Sequence, residues 1–142
     1  MTSITTRTRY GLRALIYIAL NSSNQPVTIH SISKAKKISL KYLENIFKLL
    51  KQSGIVTSTR GSEGGYLLSR NPEEISLLEI FTALEGPLIL SKCIDDENYC
   101  ENSDKCKPHL FWEELQNNIK DFLETKTLFY VINNYDNGRK EI

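Results

Sequence analysis

Three cysteines and a histidine share one stretch of 17 residues, Cys93, Cys100, Cys106 and His109, in the pattern C-x6-C-x5-C-x2-H. They are all of the chain's cysteines and one of its two histidines. Thiolate sulfur and neutral imidazole nitrogen together are transition-metal donors. An odd number of thiols, in a chain read below as cytoplasmic, speaks against a disulfide framework. Structural zinc favours C-x2–4-C turns, which are shorter than these spacings. Longer loops suit a larger object, such as an iron–sulfur cluster with an imidazole on one iron. Exchanging a thiolate for imidazole removes a negative charge, raises the reduction potential and makes that ligand protonatable. On spacing alone three readings stand: a cluster, a zinc ion, or three free or transiently oxidised thiols in a loop.

The remainder of the chain must position this group. At 142 residues and 40% hydrophobic, it makes one compact domain with an appendage. The opening MTSITTRTRYGLRALIYIAL sets basic residues before an apolar run. Arg13 interrupts that run and no clean small-residue cleavage site follows. It reads as a folded amphipathic helix of a cytoplasmic protein rather than a signal peptide. Ala14 to Leu20 is far shorter than the roughly 20 residues that span a bilayer. The net charge of +1 conceals a division. Residues 1–72 carry 11 Lys and Arg against Glu44 and Glu63, a net +9; residues 73–142 carry 7 against 15 acids, a net −8. A basic half joined to an acidic one fits a polyanion-binding module attached to something that stays off the polyanion.

Apolar periodicity predicts a helix from Arg9 to Leu20. Thr28 caps a second helix to about Ala35, and Ser39 caps a third to about Gln52, with Leu40, Leu43, Ile46, Phe47 and Leu50 inward. Gly54 is placed to end it in a left-handed conformation. Strands at 55–60 and 66–69 flank the turn Gly61–Gly65. Ile75 to Glu85 reads as a further helix, stopped by Gly86-Pro87. Pro108 suits the first position of a long helix to about Glu124. A short helix over Lys126 to Asn133 precedes a polar tail. The fold class is mainly α with a small β-wing: a winged helix-turn-helix followed by a long C-terminal helix.

In such a fold the third helix enters the major groove, and its polar face must carry the base-reading groups. That face is Ser39, Lys41, Tyr42, Glu44, Asn45 and Lys48. The lysines suit phosphates, and Glu44 suits a cytosine amino group. Thr28 and the wing residues Arg60 and Gly61 complete the candidate DNA surface, alongside Thr57 and Ser58. A guanidinium at a ribbon tip suits a narrow minor groove. No Ser/His/acid constellation, phosphate-cradling glycine loop or paired carboxylates in a cleft argue for an enzyme.

The run ISLKYLENIFKLLKQSGIVTSTRGSEGGYLLSR (residues 38–70), with Arg9-Tyr10-Gly11, Ala14, Tyr42-Leu43-Glu44 and Arg60-Gly61-x-x-Gly64-Gly65-Tyr66, resembles the Rrf-two family of bacterial transcription regulators. The resemblance runs to about Asn133. It implies a homodimer on a palindromic double-stranded operator, paired through the long helix, with Trp112, Leu115, Ile119 and Phe122 as the dimerisation stripe. Within the family, the resemblance to IscR-type members implies a 2Fe–2S cluster on Cys93, Cys100, Cys106 and His109, and a repressor that senses iron–sulfur status and controls cluster-assembly genes. The nitric-oxide-sensing branch completes a 4Fe–4S cluster with a carboxylate near the first helix; Arg9 stands there in this chain, which disfavours that arrangement. CymR-type members lack the cysteines. Glu63 departs from the small wing residue common in the family and weakens a phosphate contact there.

The resulting division is a DNA-binding domain at 1–72, a connecting helix at 73–90, a cluster loop at 91–108, dimerisation and terminal helices at 109–133, and a tail at 134–142. The alternatives are a thiol-redox or nitric-oxide-sensing regulator of the same fold and, from another class, an iron–sulfur electron carrier, for which the basic half has no use.

Overall fold

The computed structural model describes residues 4–23, 25–62, 64–101 and 103–135. Glu63 and the tail from 136 onward lie outside the described residues, and so do the expectations for them. The first helix, α1 (Thr6–Asn21), begins three residues before Arg9 because Thr5 caps it, its hydroxyl accepting from the Thr8 N–H. Its buried face is Thr8, Gly11, Ala14, Leu15 and Ile18. Leu20, the last apolar residue of the predicted helix, is exposed. α2 (Ile29–Lys36) and α3 (Leu40–Gln52) start where predicted, the Thr28 and Ser39 hydroxyls accepting from the N–H groups of Ser31 and Tyr42.

The turn between α2 and α3 is stitched twice by Ser33. Its carbonyl accepts from the Ile38 N–H and its hydroxyl donates to the Ile38 carbonyl at 2.6 Å. Lys37 occupies the left-handed region there (φ 55°). Gly54, at φ 74°, ends α3 as its position requires.

The wing is an antiparallel pair, β1 (Val56–Thr59) and β2 (Gly65–Leu68), with Val56 opposite Leu68 and Thr59 opposite Gly65. Val27, ahead of α2, forms a bridge to β2: it exchanges backbone hydrogen bonds with Tyr66 at 2.9 and 2.8 Å. Gly65 is required by this approach, since a β-carbon there would lie 2.6 Å from the Val27 carbonyl oxygen. Three helices followed by this ribbon make a winged helix-turn-helix.

After a 3₁₀ turn at Pro72–Glu74, α4 (Leu77–Glu85) begins two residues later than Ile75. Ile75 and Ser76 are extended instead, bridging the chain near Thr127, with the Leu77 N–H on Lys126 O and the Leu128 N–H on Ile75 O. Ser76 and Glu79 then form a capping box. A short helix, α5 (Lys92–Asp95), and a 3₁₀ turn at Ser103–Lys105 break what was expected to be irregular chain. The long helix, α6 (Lys107–Thr125), begins one residue before Pro108, with Cys106 as its N-cap residue. The last, α7 (Leu128–Asn134), starts at Leu128 rather than Lys126 because the Thr127 hydroxyl caps it.

One core joins these elements: Leu15 and Ile18 of α1, Leu43, Phe47 and Leu50 of α3, Ile55 and Val56, Ile80 and Leu84 of α4, and Leu123 and Leu128 from the C-terminal helices. Gly11 lets α1 close on α4, where a β-carbon would lie 2.5 Å from Leu84 Cδ1. Among the described residues no helix is long and apolar enough to cross a membrane.

Candidate nucleic-acid interface and cysteine site

The spacing of Leu43, Ile46, Phe47 and Leu50 turns one side of α3 into the core and leaves Lys41, Glu44, Asn45 and Lys48 exposed on the other. Ser39 is exposed as well, although its hydroxyl is engaged as the cap. Thr28 is exposed with its hydroxyl likewise engaged as a cap, and its carbonyl accepts from the Ser31 hydroxyl. Tyr42 is half-buried, packed edge-on against Tyr10 with ring centroids 5.6 Å apart, so it holds α3 to α1 as well as facing outward. Arg13 lies over the Tyr10 ring, 5.6 Å from its centroid.

The wing stands beside this face. Tyr66 of β2 lays its ring on Phe47 of α3, centroids 4.5 Å apart, which explains a tyrosine after the glycines. Thr57, Arg60 and Gly61 are exposed, and Gly61 adopts φ 110° at the turn. The Gly64 N–H closes the turn on Gly61 O at 3.0 Å. Among the described residues, α3 and the wing tip therefore expose cations, amides and hydroxyls, with the single acid Glu44, on the basic half of the chain.

The cysteine group is partly assembled. Cys93, in the first turn of α5, places its Sγ 3.3 Å from His109 Nδ1 across 16 positions of sequence. The Ser91 hydroxyl lies 3.1 Å from the same sulfur, a neighbour that sequence reasoning missed although it is only two residues away. Cys106 and His109 open α6 one turn apart, and Cys93, Cys106 and His109 are half-buried. Cys100 is exposed on the stretch between α5 and the 3₁₀ turn. All three thiols are free. Among the described residues no three metal-binding side chains are close enough to hold an ion. The donor chemistry, three soft sulfurs and an imidazole on a segment anchored at both ends, fits a metal centre.

Gln116, another residue the sequence did not flag, anchors the start of this segment. It is buried, and its Oε1 accepts from the Leu90 N–H at 2.8 Å. On α6 the expected dimerisation stripe divides. Ile119 is half-buried against the core, whereas Trp112, Leu115 and Phe122 remain 41%, 38% and 55% exposed. Those three do not pack back on their own domain.

Residues 4–134 match the family described as Rrf2, iron-dependent transcriptional regulator. The HTH-type transcriptional regulator IscR of Pectobacterium atrosepticum is 37% identical over 131 residues, covering 92% of this chain and 79% of that protein. Among solved structures, CymR, the global cysteine regulator of B. subtilis, superposes with a TM-score of 0.75 at 29% identity, over 96% of this chain and 100% of that one. IscR of T. potens gives the same TM-score, 0.75, at 26% identity, over 99% of this chain and 93% of that one. Backbone likeness to a cysteine regulator and to an IscR is thus equal, and any distinction between the two rests on side chains such as the cysteine group.

Proposed function

This chain belongs to the Rrf2 family of transcriptional regulators, and from that premise we propose a cytoplasmic homodimeric repressor whose hold on a palindromic operator depends on an iron–sulfur cluster at Cys93, Cys100, Cys106 and His109. The chain is a DNA-binding regulator of the IscR type and not an enzyme. The observation that carries the finer reading is the Cys93 Sγ to His109 Nδ1 approach at 3.3 Å, which brings the first and last members of the donor set together. The cluster, of the 2Fe–2S type, supplies a redox-active, iron-dependent centre when bound.

The chain's own residues do the rest. Cys106 is the N-cap residue of α6 and His109 lies in its first turn, so fixing those two side chains fixes where that helix begins. The exposed Trp112, Leu115 and Phe122 on the same helix pair with a second copy. Ordering of residues 91–108 thereby sets the two DNA-binding halves relative to each other, and operator affinity follows by linkage. Ser39, Lys41, Tyr42, Glu44, Asn45 and Lys48 face the major groove, and Arg60 and Gly61 the adjacent minor groove, with Thr28 at the flank. The regulated genes are those of iron–sulfur assembly. An electron carrier would leave α3 and the wing without a purpose.

A second reading, a thiol-sensing regulator, draws on the exposure of Cys100 and the absence of any disulfide among the free thiols. One experiment separates the two: anaerobic purification with a visible spectrum, iron, sulfide and zinc analysis, and gel shifts of the loaded and stripped protein. Equal iron and sulfide, with operator affinity that changes on stripping, supports the cluster. A colourless zinc protein overturns it, and a colourless metal-free protein whose affinity changes on thiol oxidation favours the second reading.

A further inference from the structure

Between the first turn of α1 and the outer side of α3 lies an open recess of about 440 Å³, with Ile46 and Leu49 as its apolar lining and Arg7, Tyr42, Asn45, Lys48 and Gln52 as its polar one. Two cations, two amides and a phenol line it, and no carboxylate does. Arg7 was not among the residues that the sequence singled out, yet its exposed side chain is held by a hydrogen bond. Its Nη1 donates to the Leu84 carbonyl at 3.0 Å, in the last turn of α4. That carbonyl belongs to a helix C-terminus, where partial negative charge favours a guanidinium. Glu85, next in sequence, accepts from the hydroxyls of Thr5 and Thr8, and Thr8 is buried. Burial pushes the Glu85 carboxyl up; the two hydroxyls and the nearby Arg7 outweigh it and hold the group below its ordinary range. The acid is thus engaged at the base of α1. With one nitrogen on Leu84, the planar guanidinium keeps its other donors for a second, bidentate partner.

We propose that this recess seats a backbone phosphate of the bound duplex, with Arg7, braced by the C-terminus of α4, as its principal donor and Lys48 beside it. The proposal rests on the reading of the chain as a DNA-binding regulator and adds to that surface a site at the edge of α3. A guanidinium fixed in advance spends less side-chain entropy on the phosphate than a free one. The brace on Leu84 also lies two residues before Gly86, where the chain departs toward the cysteine segment.

The test is a salt series of dissociation constants on two duplexes, one selected by the wild-type protein from a random pool and one scrambled. Arg7→Ala and Arg7→Gln are compared with wild type, each with its melting temperature. Gln keeps a polar amide on a shorter side chain while removing the charge, and the exposed position tolerates it, so it decides the matter if Ala fails to fold. Both variants are expected to weaken both duplexes by a similar factor, roughly tenfold, and to lower the salt slope by about one, with Gln melting as wild type does. Wild-type affinity and slope in Arg7→Gln overturn the phosphate seat. A loss confined to the selected duplex also overturns it, because Arg7 would then be reading bases. If wild type itself shifts neither duplex, the regulator reading falls and the seat falls with it.

Discussion

Residues 28–69 and residues 88–107 are built by opposite rules. In the first stretch each helix start carries a hydroxyl cap, the turn is sewn by Ser33 from both sides, and the ribbon is pinned by Val27 and Phe47. In the second, the N-cap residues of α5 and α6 are Ser91 and Cys106, and neither gives a capping hydrogen bond; Ser91 turns toward the Cys93 sulfur instead. From Asp95 to Glu101 every side chain is exposed. A thiol at a cap position is a weak acceptor where Ser or Asp would stabilise the helix. Capping is given up on the segment that carries the thiols, the pattern expected where residues are kept for something other than packing.

Substitutions on either side probe that contrast. The largest effect is expected from Cys93→Ala: iron in anaerobically purified protein falls to background, while the thermal midpoint of the metal-free protein stays close to wild type. Wild-type iron content would remove Cys93 from the site. Phe47→Ala strikes the other region and should destabilise by about 3–5 kcal/mol in denaturant unfolding, since it empties a fully buried position and strips Tyr66 of its partner. A loss under about 1 kcal/mol would mean the wing does not depend on α3. Ser76→Ala should cost about 1 kcal/mol by opening the capping box that starts α4, measured in the same way.

Much of the scaffold was legible because its signals are local. Thr28, Ser39 and Gly54 announce helix ends within a turn, and the periodicity of Leu43, Ile46, Phe47 and Leu50 fixes the inward face of α3. What escaped depends on distant partners. Val27 follows a proline in a polar loop, and only its pairing with Tyr66 makes it part of the wing. Ile75 fits a helical pattern, yet its backbone is drawn into pairing around Thr127. Ser76 and Glu79 were readable as a cap and were passed over because the apolar run began earlier. At the cysteine group, donor types and spacing could be read directly, whereas the 3.3 Å approach of Cys93 to His109 and the anchoring by Gln116 require α6 to fold back.

The smallest expected effect is on acid stability. Burial pushes the Glu79 carboxyl up, but the Arg70 guanidinium at 2.6 Å and the Ser76 N–H and hydroxyl outweigh it and hold the group below its ordinary value of 4.5. A lowered folded-state value means stability that is present in full above the unfolded value and is lost as pH falls through the folded one. Glu79→Gln should therefore flatten part of the decline in stability below about pH 4.5, with a modest effect because the pair is largely solvated. An unchanged acid profile would show that the Arg70 contact is energetically silent.

The two backbone bonds between Val27 and Tyr66 bear on how operators are told apart. They suspend the hairpin from the stub before α2, while Phe47 props it from the other side. Hairpin and helix cannot swing independently without breaking that pairing and uncovering an aromatic stack. A duplex that engaged both would meet one fixed arrangement, and the bending and groove width of the DNA would then add to the contacted bases in setting affinity.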